Sequence, residues 1–162
     1  MVESNPVPGK GTMKKLVITD VETVQFTKVV KNIKFFANMN MGLLEKILNR
    51  INYYQCEKGE KVCKQGDPGD AFYVVNEGKL LVSVREAFLF SRKLAYLGPG
   101  DCFGEMALLN RAPRNATVVC EEDSKIFVLM IDNFDQVLEE NPAFALEIQK
   151  LAADRRFELD HK

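Results

Sequence analysis

Apolar residues recur at helical spacing through the first part of the chain. Between residues 21 and 36 they return every three or four positions, which predicts an amphipathic helix; they are Phe26, Val29, Val30, Ile33 and Phe36. A second helix is predicted from Met41 to about Arg50, with Asn40 as its N-cap. Its apolar face comprises Leu44, Ile47, Leu48 and Ile51. Both helices are expected to cover an open end of the core.

From residue 51 the pattern changes to short β-rich runs separated by turn residues. Strands are predicted over 52–56, 61–64, 71–75, 80–84, 92–97, 116–120 and 125–131. The turns at 57–60 and 76–78 each contain a glycine between two such runs and are interpreted as hairpins. Residues 66–70, Gly-Asp-Pro-Gly-Asp, are a dense cluster of turn formers. A strand every eight to twelve residues is typical of a sandwich or barrel.

Helical spacing returns at Asp132 and continues towards the C-terminus. A new helix is predicted at Pro142, because proline suits the first turn of a helix. The stripe expected to pack on the barrel comprises Phe144, Ile148, Leu151, Ala152 and Leu159. A second apolar strip on the opposite side, which needs a partner of its own, comprises Leu146, Ala153 and Phe157.

Length and composition set bounds on this arrangement. The 162 residues correspond to one domain with a short appendage, and 46% hydrophobic residues can fill a sizeable core. Residues 1–19 are predicted to be a flexible lead-in to a domain over 20–162. A net charge of −1 argues against a general nucleic-acid binder, which needs a basic face. No apolar run approaches the ~20 residues of a membrane span, and no secretion signal is recognisable, so we expect a cytoplasmic protein.

The cysteine and histidine residues do not suggest a metal site. Cys56, Cys63, Cys102 and Cys120 lack Cys-x-x-Cys spacing, and the single histidine is His161. The four thiols are therefore interpreted as reduced packing residues. No catalytic constellation is recognisable either, so the sequence predicts a binding protein rather than an enzyme.

The stretch from Phe103 to Val118 carries the candidate chemistry. Gly104 permits dihedral angles that are closed to other residues and lets a ligand approach the main chain. Residues 105–109 are mostly good helix formers, and one turn of helix would direct unpaired N–H groups at an anion, preferably a phosphate. Arg114 offers a planar fork of donors suited to phosphate oxygens.

A carboxylate also lies within this stretch. Glu105 would repel a phosphate, so its expected partner is another part of the ligand, and a sugar hydroxyl is the natural choice. The stretch thus predicts a site for a phosphorylated sugar. The alternative is a surface pair of Glu105 and Arg114 beside a buried Met-Ala-Leu-Leu strip, worth less than about 1 kcal/mol.

The same stretch resembles a known family. It reads Phe-Gly-Glu-Met-Ala-Leu-Leu from Phe103 and Pro-Arg-Asn-Ala-Thr-Val from Pro113. This resembles the phosphate-binding cassette of cyclic nucleotide-binding domains, found in kinase regulatory subunits, nucleotide-gated channels and the catabolite activator protein. The resemblance implies an α+β fold over residues 20–162: a β jelly-roll barrel with a short phosphate-binding helix, flanked by N-terminal helices and a C-terminal helix.

The resemblance also implies functions for individual residues. Glu105 would bind the ribose 2′-hydroxyl and Arg114 the cyclic phosphate, with backbone N–H groups near Gly104, Ala107 and Ala116 completing the cradle. The expected ligand contacts are Phe103, Gly104, Glu105, Met106, Ala107, Arg114, Asn115, Ala116 and Thr117.

The final helix is implied to close over the base. In many members of this family it also pairs with a neighbouring subunit, which makes it a candidate homodimer contact. Phe157 could stack on a purine for about 1–3 kcal/mol, or could instead be an exposed aromatic near a frayed end. Arg155 and Arg156 are alternative base contacts.

The position after the arginine bears on which nucleotide is bound. The family tends to carry alanine there in cAMP-responsive kinase subunits and threonine in cGMP kinases, whereas this chain has Asn115. Its amide could contact the phosphate or the guanine amino group. We expect cAMP in preference to cGMP.

These observations predict a sensor that binds a cyclic nucleotide and relays binding through its helices to an effector. An alternative is a regulatory module of a larger kinase, channel or signalling enzyme. A DNA-binding activator is not expected, because its helix-turn-helix would follow the last predicted helix, and the sequence as given stops at Lys162. An enzyme-class alternative is a cupin-like metal oxygenase on a similar jelly roll, which would need several histidines around one metal.

Overall fold

The computed structural model describes residues 3–6, 12–37, 39–87, 90–104, 107–108 and 113–160. The strands are β1 (Glu3–Pro6), β2 (Thr12–Leu16), β3 (Asn52–Cys56), β4 (Lys61–Cys63), β5 (Ala71–Glu77), β6 (Leu80–Ala87), β7 (Phe90–Leu97), β8 (Cys102–Phe103), β9 (Thr117–Cys120) and β10 (Ser124–Met130). The helices are α1 (Asp20–Lys31), α2 (Lys34–Ala37), α3 (Met41–Leu48), α4 (Ile131–Glu140) and α5 (Pro142–Asp160). None of the helices in these ranges is long and apolar enough to cross a membrane.

The strands form two antiparallel sheets that make up a jelly-roll barrel, which confirms the predicted α+β class. The larger sheet has the order β1-β2-β3-β10-β5-β8 and the smaller one β4-β9-β6-β7. Strand β10 lies inside the larger sheet, where Phe127 is opposite Tyr53 of β3 and Val74 of β5. From β3 onwards the chain therefore changes sheet at every connection except the one between β6 and β7.

The larger sheet is covered on both faces, so its two central strands, β5 and β10, are buried through residues 71–75 and 126–129. In β5, Tyr73 and Val75 face the interior of the barrel, whereas Phe72 and Val74 pack against the helices. Two cores result. The barrel core includes Val62, Tyr73, Val75, Leu80, Val118, Ile126 and Val128. The helix-side core includes Phe26, Val30, Leu44, Ile47, Phe72, Ala107, Leu108, Phe127, Phe134, Phe144 and Ile148.

The helices follow local signals in the sequence. The side chain of Asn40 accepts a hydrogen bond from the N–H of Leu43 at 2.9 Å, which confirms the predicted cap of α3. The single helix predicted from residue 21 to 36 is instead divided into α1 and α2. Asn32 caps the end of α1, where its N–H donates to the carbonyls of Val29 and Val30.

Both turns that were interpreted as hairpins connect different sheets, so that prediction is wrong. The 57–60 turn leads from β3 to β4 and the 76–78 turn from β5 to β6. Gly78 has a φ of 98°, and a Cβ added there would lie 2.7 Å from the Asp123 carbonyl oxygen, so the corner itself requires glycine. The hairpin of the smaller sheet is formed by β6 and β7.

The expectation of a flexible lead-in over residues 1–19 differs from the structure at residues 12–16. There β2 pairs with β3, with Lys14 opposite Gln55 and Leu16 opposite Tyr53. The side chain of Met13 is fully buried in the barrel core. Burial of this one large side chain stabilises the strand by about 1.5–3 kcal/mol.

Candidate functional site

The predicted site lies in the connection between β8 and β9. Strand β8 pairs with β5, where Phe103 is opposite Tyr73. The N–H of Ala107 donates to the carbonyl of Gly104 at 3.0 Å, and Ala107 and Leu108 are helical and buried. The connection therefore contains helical backbone where the sequence predicts a short helix, and that backbone is anchored in the helix-side core.

Gly104 brings the main chain of this connection close to its neighbours. Its φ is 85°, a region that side chains with a Cβ rarely adopt. A Cβ added there would lie 2.5 Å from Nη1 of Arg114 and 2.8 Å from the carbonyl oxygen of Ala71. Only glycine lets these three groups approach one another without displacement.

The backbone of Arg114 is held by the turn between β4 and β5. Its N–H donates to the carbonyl of Asp67 at 2.8 Å, and its carbonyl accepts from the N–H of Gly66 at 2.8 Å. These two bonds fix Arg114 against the cluster of turn formers that the sequence shows at 66–70. The turn therefore positions the candidate anion-binding residue.

The side chain of Arg114 is buried and partly paired. Only 8% of the residue is exposed. Its Nη2 donates to the carbonyl of Ala71 and lies 3.5 Å from Oδ1 of Asp70. Its Nε has no hydrogen-bond partner among the described residues. A buried guanidinium donor without a partner is costly, so an oxyanion bound next to Arg114 would gain a strong, charge-assisted bond.

An aromatic pair supports the guanidinium. The guanidinium carbon of Arg114 lies 5.2 Å from the centre of the Tyr73 ring, within the range of a cation–π interaction. Tyr73 in turn stacks on Phe103 at 4.6 Å with an interplanar angle of 14°. Burial raises the pKa of the Tyr73 hydroxyl, and the nearby positive charge of Arg114 opposes that rise only in part. Tyr73 therefore stays neutral, and Asp70 is the carboxylate paired with Arg114.

The three residues after Arg114 differ in their surroundings. Asn115 is exposed and Ala116 is half-buried. The hydroxyl oxygen of Thr117 accepts a hydrogen bond from the N–H of Gln65 at 2.9 Å. Thr117 therefore helps to hold the β4–β5 turn, while Asn115 remains open to solvent.

Five of the predicted site residues cannot be placed with the others. Glu105 and Met106 lie outside the described residues. The backbone of Arg155, Arg156 and Phe157 is part of α5, but the structure does not describe their side chains. Within the ranges that are described, no group of three or more His, Cys, Asp and Glu residues could hold a metal ion.

Sequence reasoning missed the residues that position Arg114. Asp70 was recognised only as a turn former, and Tyr73 only as part of a strand. Both contact Arg114 from more than forty positions away in the chain, and no local spacing indicates such a contact. The nearest signal in the sequence is that Asp70 ends a Gly-Asp-Pro-Gly-Asp cluster directly before a buried strand.

Comparison with known proteins gives a consistent result. A family model described as the cyclic nucleotide-binding domain matches residues 54–141. The potassium/sodium hyperpolarization-activated cyclic nucleotide-gated channel 4 of Homo sapiens is 28% identical over 128 residues, covering 79% of this chain and 10% of the channel. A cAMP-dependent protein kinase regulatory subunit of Eremothecium gossypii is 36% identical over 92 residues, covering 57% of this chain and 19% of the subunit.

A similar solved structure is the regulatory domain of Toxoplasma gondii PKA with cAMP. It superposes with a TM-score of 0.69 at 26% identity, covering 75% of this chain and 46% of that one. The chain thus spans only about a tenth to a fifth of the length of the curated relatives it matches.

Proposed function

The chain belongs to the cyclic nucleotide-binding domain family, and on that premise we propose that it is a sensor that binds cAMP in preference to cGMP. The observation that carries the proposal is Arg114, a buried arginine beside the close backbone approach of Gly104, with an Nε that lacks a partner among the described residues. A cyclic phosphate would supply the missing acceptor. The preference for cAMP is supported by the cAMP-bound state of the similar Toxoplasma gondii domain.

Isothermal titration calorimetry with cAMP, cGMP and 5′-AMP tests this proposal. The expected result is one site per chain, with cAMP binding more tightly than cGMP and both more tightly than 5′-AMP. Tighter binding of cGMP would reverse the nucleotide assignment. The absence of heat with either cyclic nucleotide, in protein shown to be folded by circular dichroism, would contradict the sensor.

In the proposed complex the nucleotide contacts the connection between β8 and β9. Arg114 binds the cyclic phosphate and Glu105 the ribose 2′-hydroxyl. The remaining phosphate and sugar contacts come from Phe103, Gly104, Met106, Ala107, Asn115, Ala116 and Thr117. Arg155, Arg156 and Phe157 are the proposed base contacts, because the family resemblance implies that the final helix closes over the base.

The packing of this connection supports a relay to the helices. Ala107 and Leu108 are buried in the same core as Val30 of α1 and Phe144 of α5. A nucleotide that shifts this short helical segment would therefore shift the surface on which the helices pack. Such a ligand changes the balance of two conformations only by its difference in affinity for them.

The second candidate function is a regulatory module within a larger kinase, channel or signalling enzyme. It is favoured by the small share of each curated relative that this chain covers. The two candidates share the nucleotide site. They differ in whether binding acts on a separate effector or on another part of the same protein. An assay of nucleotide-dependent binding to an effector would distinguish them.

We also propose that the domain is cytoplasmic, has no catalytic activity of its own and dimerises through α5. The proposed contact is the apolar strip of α5 that needs a partner, and Leu146, which is 68% exposed, is the member of that strip to test. Light scattering after size exclusion is expected to show a dimer for the wild type and a monomer for Leu146→Glu. A wild-type monomer at high concentration would contradict this part of the proposal.

A further inference from the structure

Two buried cysteines meet at the corner between the two sheets. The Sγ atoms of Cys56, at the end of β3, and Cys120, at the end of β9, lie 2.8 Å apart. The two strands belong to different sheets. Both thiols are free, and the two residues are 0% and 1% exposed.

Backbone hydrogen bonds fix both strands at this corner. The N–H of Gly59 donates to the carbonyl of Cys120 at 2.7 Å, and the N–H of Cys120 donates to the carbonyl of Glu60 at 2.9 Å. Cys56 is held in register opposite Ser124 of β10. The sulfur atoms are about 0.8 Å farther apart than the ~2.05 Å of a bonded pair, so small side-chain rotations would bring them to bonding distance.

We propose that Cys56 and Cys120 form an oxidation site, at which a hydroperoxide converts the two thiols into an intramolecular disulfide that joins the two sheets. In the first step one thiolate attacks the peroxide, the O–O bond breaks, and a sulfenic acid forms while the leaving oxygen takes up a proton as water or an alcohol. The second thiol then attacks the sulfenic sulfur, the S–S bond forms, and the S–O bond breaks with loss of water. The two sulfur atoms together lose two electrons, and the peroxide gains them.

Cys120 is the thiol suited to react first. The hydrogen bond with Cys56 lowers the pKa of Cys120, and burial opposes that change. The same hydrogen bond and burial raise the pKa of Cys56. The carboxylates of Glu60 and Asp123 also face the pair and disfavour a thiolate, so the reaction should be slow and should accelerate above neutral pH.

Peptide mapping can identify this bond because trypsin places the four cysteines on separate peptides. They are 51–58 with Cys56, 62–64 with Cys63, 94–111 with Cys102 and 115–125 with Cys120. After treatment of the folded protein with hydrogen peroxide, the expected product has lost the mass of two hydrogen atoms. Its digest should contain a 51–58/115–125 conjugate that disappears on reduction.

A matched pair of variants separates this bond from general thiol oxidation. Cys120→Ala should give no intramolecular conjugate, whereas Cys63→Ala, which removes another buried thiol, should form it as the wild type does. The oxidised wild type should also melt up to about 10 °C higher than the reduced protein, because the bond closes a long loop of the unfolded chain.

The proposal fails if all four thiols of peroxide-treated wild type still titrate in denaturant. It also fails if the conjugate joins any other two peptides or two chains. Neither outcome depends on nucleotide binding, so the result is independent of the proposed function.

Discussion

Nη2 of Arg114 lies 3.5 Å from Oδ1 of Asp70 in an ion pair whose arginine side chain is 6% exposed and whose aspartate side chain is 22% exposed. The same nitrogen donates to the carbonyl of Ala71. Arg114 is thus held by the protein before any ligand arrives. A phosphate must share the guanidinium with these partners or displace them.

Replacing Arg114 by alanine should weaken cAMP binding most. Loss of a charge-assisted, desolvated phosphate contact is expected to cost about 2–5 kcal/mol, or roughly thirtyfold to several-thousandfold in affinity. The measurement is calorimetric titration, with Arg92→Ala as the control because Arg92 is an exposed arginine on β7 that pairs with Glu86. If Arg114→Ala binds cAMP with wild-type affinity, Arg114 is not part of the binding site.

Glu105→Ala tests the sugar contact separately. We expect a smaller loss of affinity than for Arg114→Ala, together with a narrower difference between cAMP and its 2′-deoxy analogue. The ratio of the two dissociation constants is the quantity to compare. An unchanged ratio would mean that another group binds the 2′-hydroxyl.

Asp70→Asn should destabilise the free protein yet increase the stabilisation by ligand. Neutralising the carboxylate leaves the buried charge of Arg114 without its counter-ion, which is expected to lower the free energy of unfolding by about 1–3 kcal/mol. Phosphate would then have less competition, so saturating cAMP should raise the melting temperature more than in the wild type. Glu147→Gln neutralises an exposed carboxylate and serves as control. A smaller shift in Asp70→Asn than in the wild type would show that Asp70 assists binding instead of competing with it.

Two glycine variants separate backbone strain from steric contact. Gly104 and Gly100 have φ values of 85° and 93°, so alanine should cost each about 1–2 kcal/mol of stability. An added Cβ meets nothing within 4 Å at Gly100, but at Gly104 it meets Arg114 and Ala71. Gly104→Ala alone should therefore lower cAMP affinity, by about tenfold or more, as the displaced guanidinium loses its alignment. Equal affinities of the two variants in titration would contradict this.

Alkaline pH should destabilise the protein partly through Tyr73. Burial raises the pKa of its hydroxyl in the folded state, so above pH ~10 the unfolded chain loses a proton that the folded protein keeps. The contribution of Tyr73 to stability is therefore fully present below that pH. Above it the free energy of unfolding falls, by at most about 1.4 kcal/mol per pH unit for one such group. Urea unfolding between pH 8 and pH 11, spanning that value, should show a shallower decline for Tyr73→Phe. Tyr96→Phe, at an exposed tyrosine, should follow the wild type.

If binding is relayed through the helices, cAMP should slow amide hydrogen exchange in residues 21–50 and 142–160. These segments pack on the same core as Ala107 and Leu108. Mass spectrometry of pepsin fragments provides the measurement. Unchanged amide exchange in both segments at saturating cAMP would show that binding is not relayed through the helices.

Local signals in the sequence were sufficient for individual elements. The Asn40 cap depends on a contact three residues away, and β3 to β7, β9 and β10 follow β-rich runs bounded by turn residues, so these elements could be predicted. The hairpin interpretation of residues 76–78 failed because a turn signal shows where a strand ends, not which sheet receives the next strand. The strand containing Met13 was missed because its sequence, Thr-Met-Lys-Lys-Leu, is mostly polar. Only its pairing with β3 makes it a strand of the barrel, in which Met13 is buried.

The candidate site was predictable in part for the same reason. Arg114 and Gly104 belong to one continuous stretch, so their proximity followed from the sequence. Asp70, Ala71 and Tyr73 reach Arg114 only because β5 pairs with β8, and that pairing is a property of the whole barrel.

The position of β10 between β3 and β5 has a consequence for how the protein is made. The ribosome releases β3, β5 and the connection between β8 and β9 before the strand that completes the larger sheet. Closing such distant pairs requires ordering a long intervening segment, which slows folding. A nascent chain ending before Ser124 would therefore carry every residue of the connection and still have no rigid support for it. Competence to bind ligand should emerge late in synthesis, in one step with strand insertion.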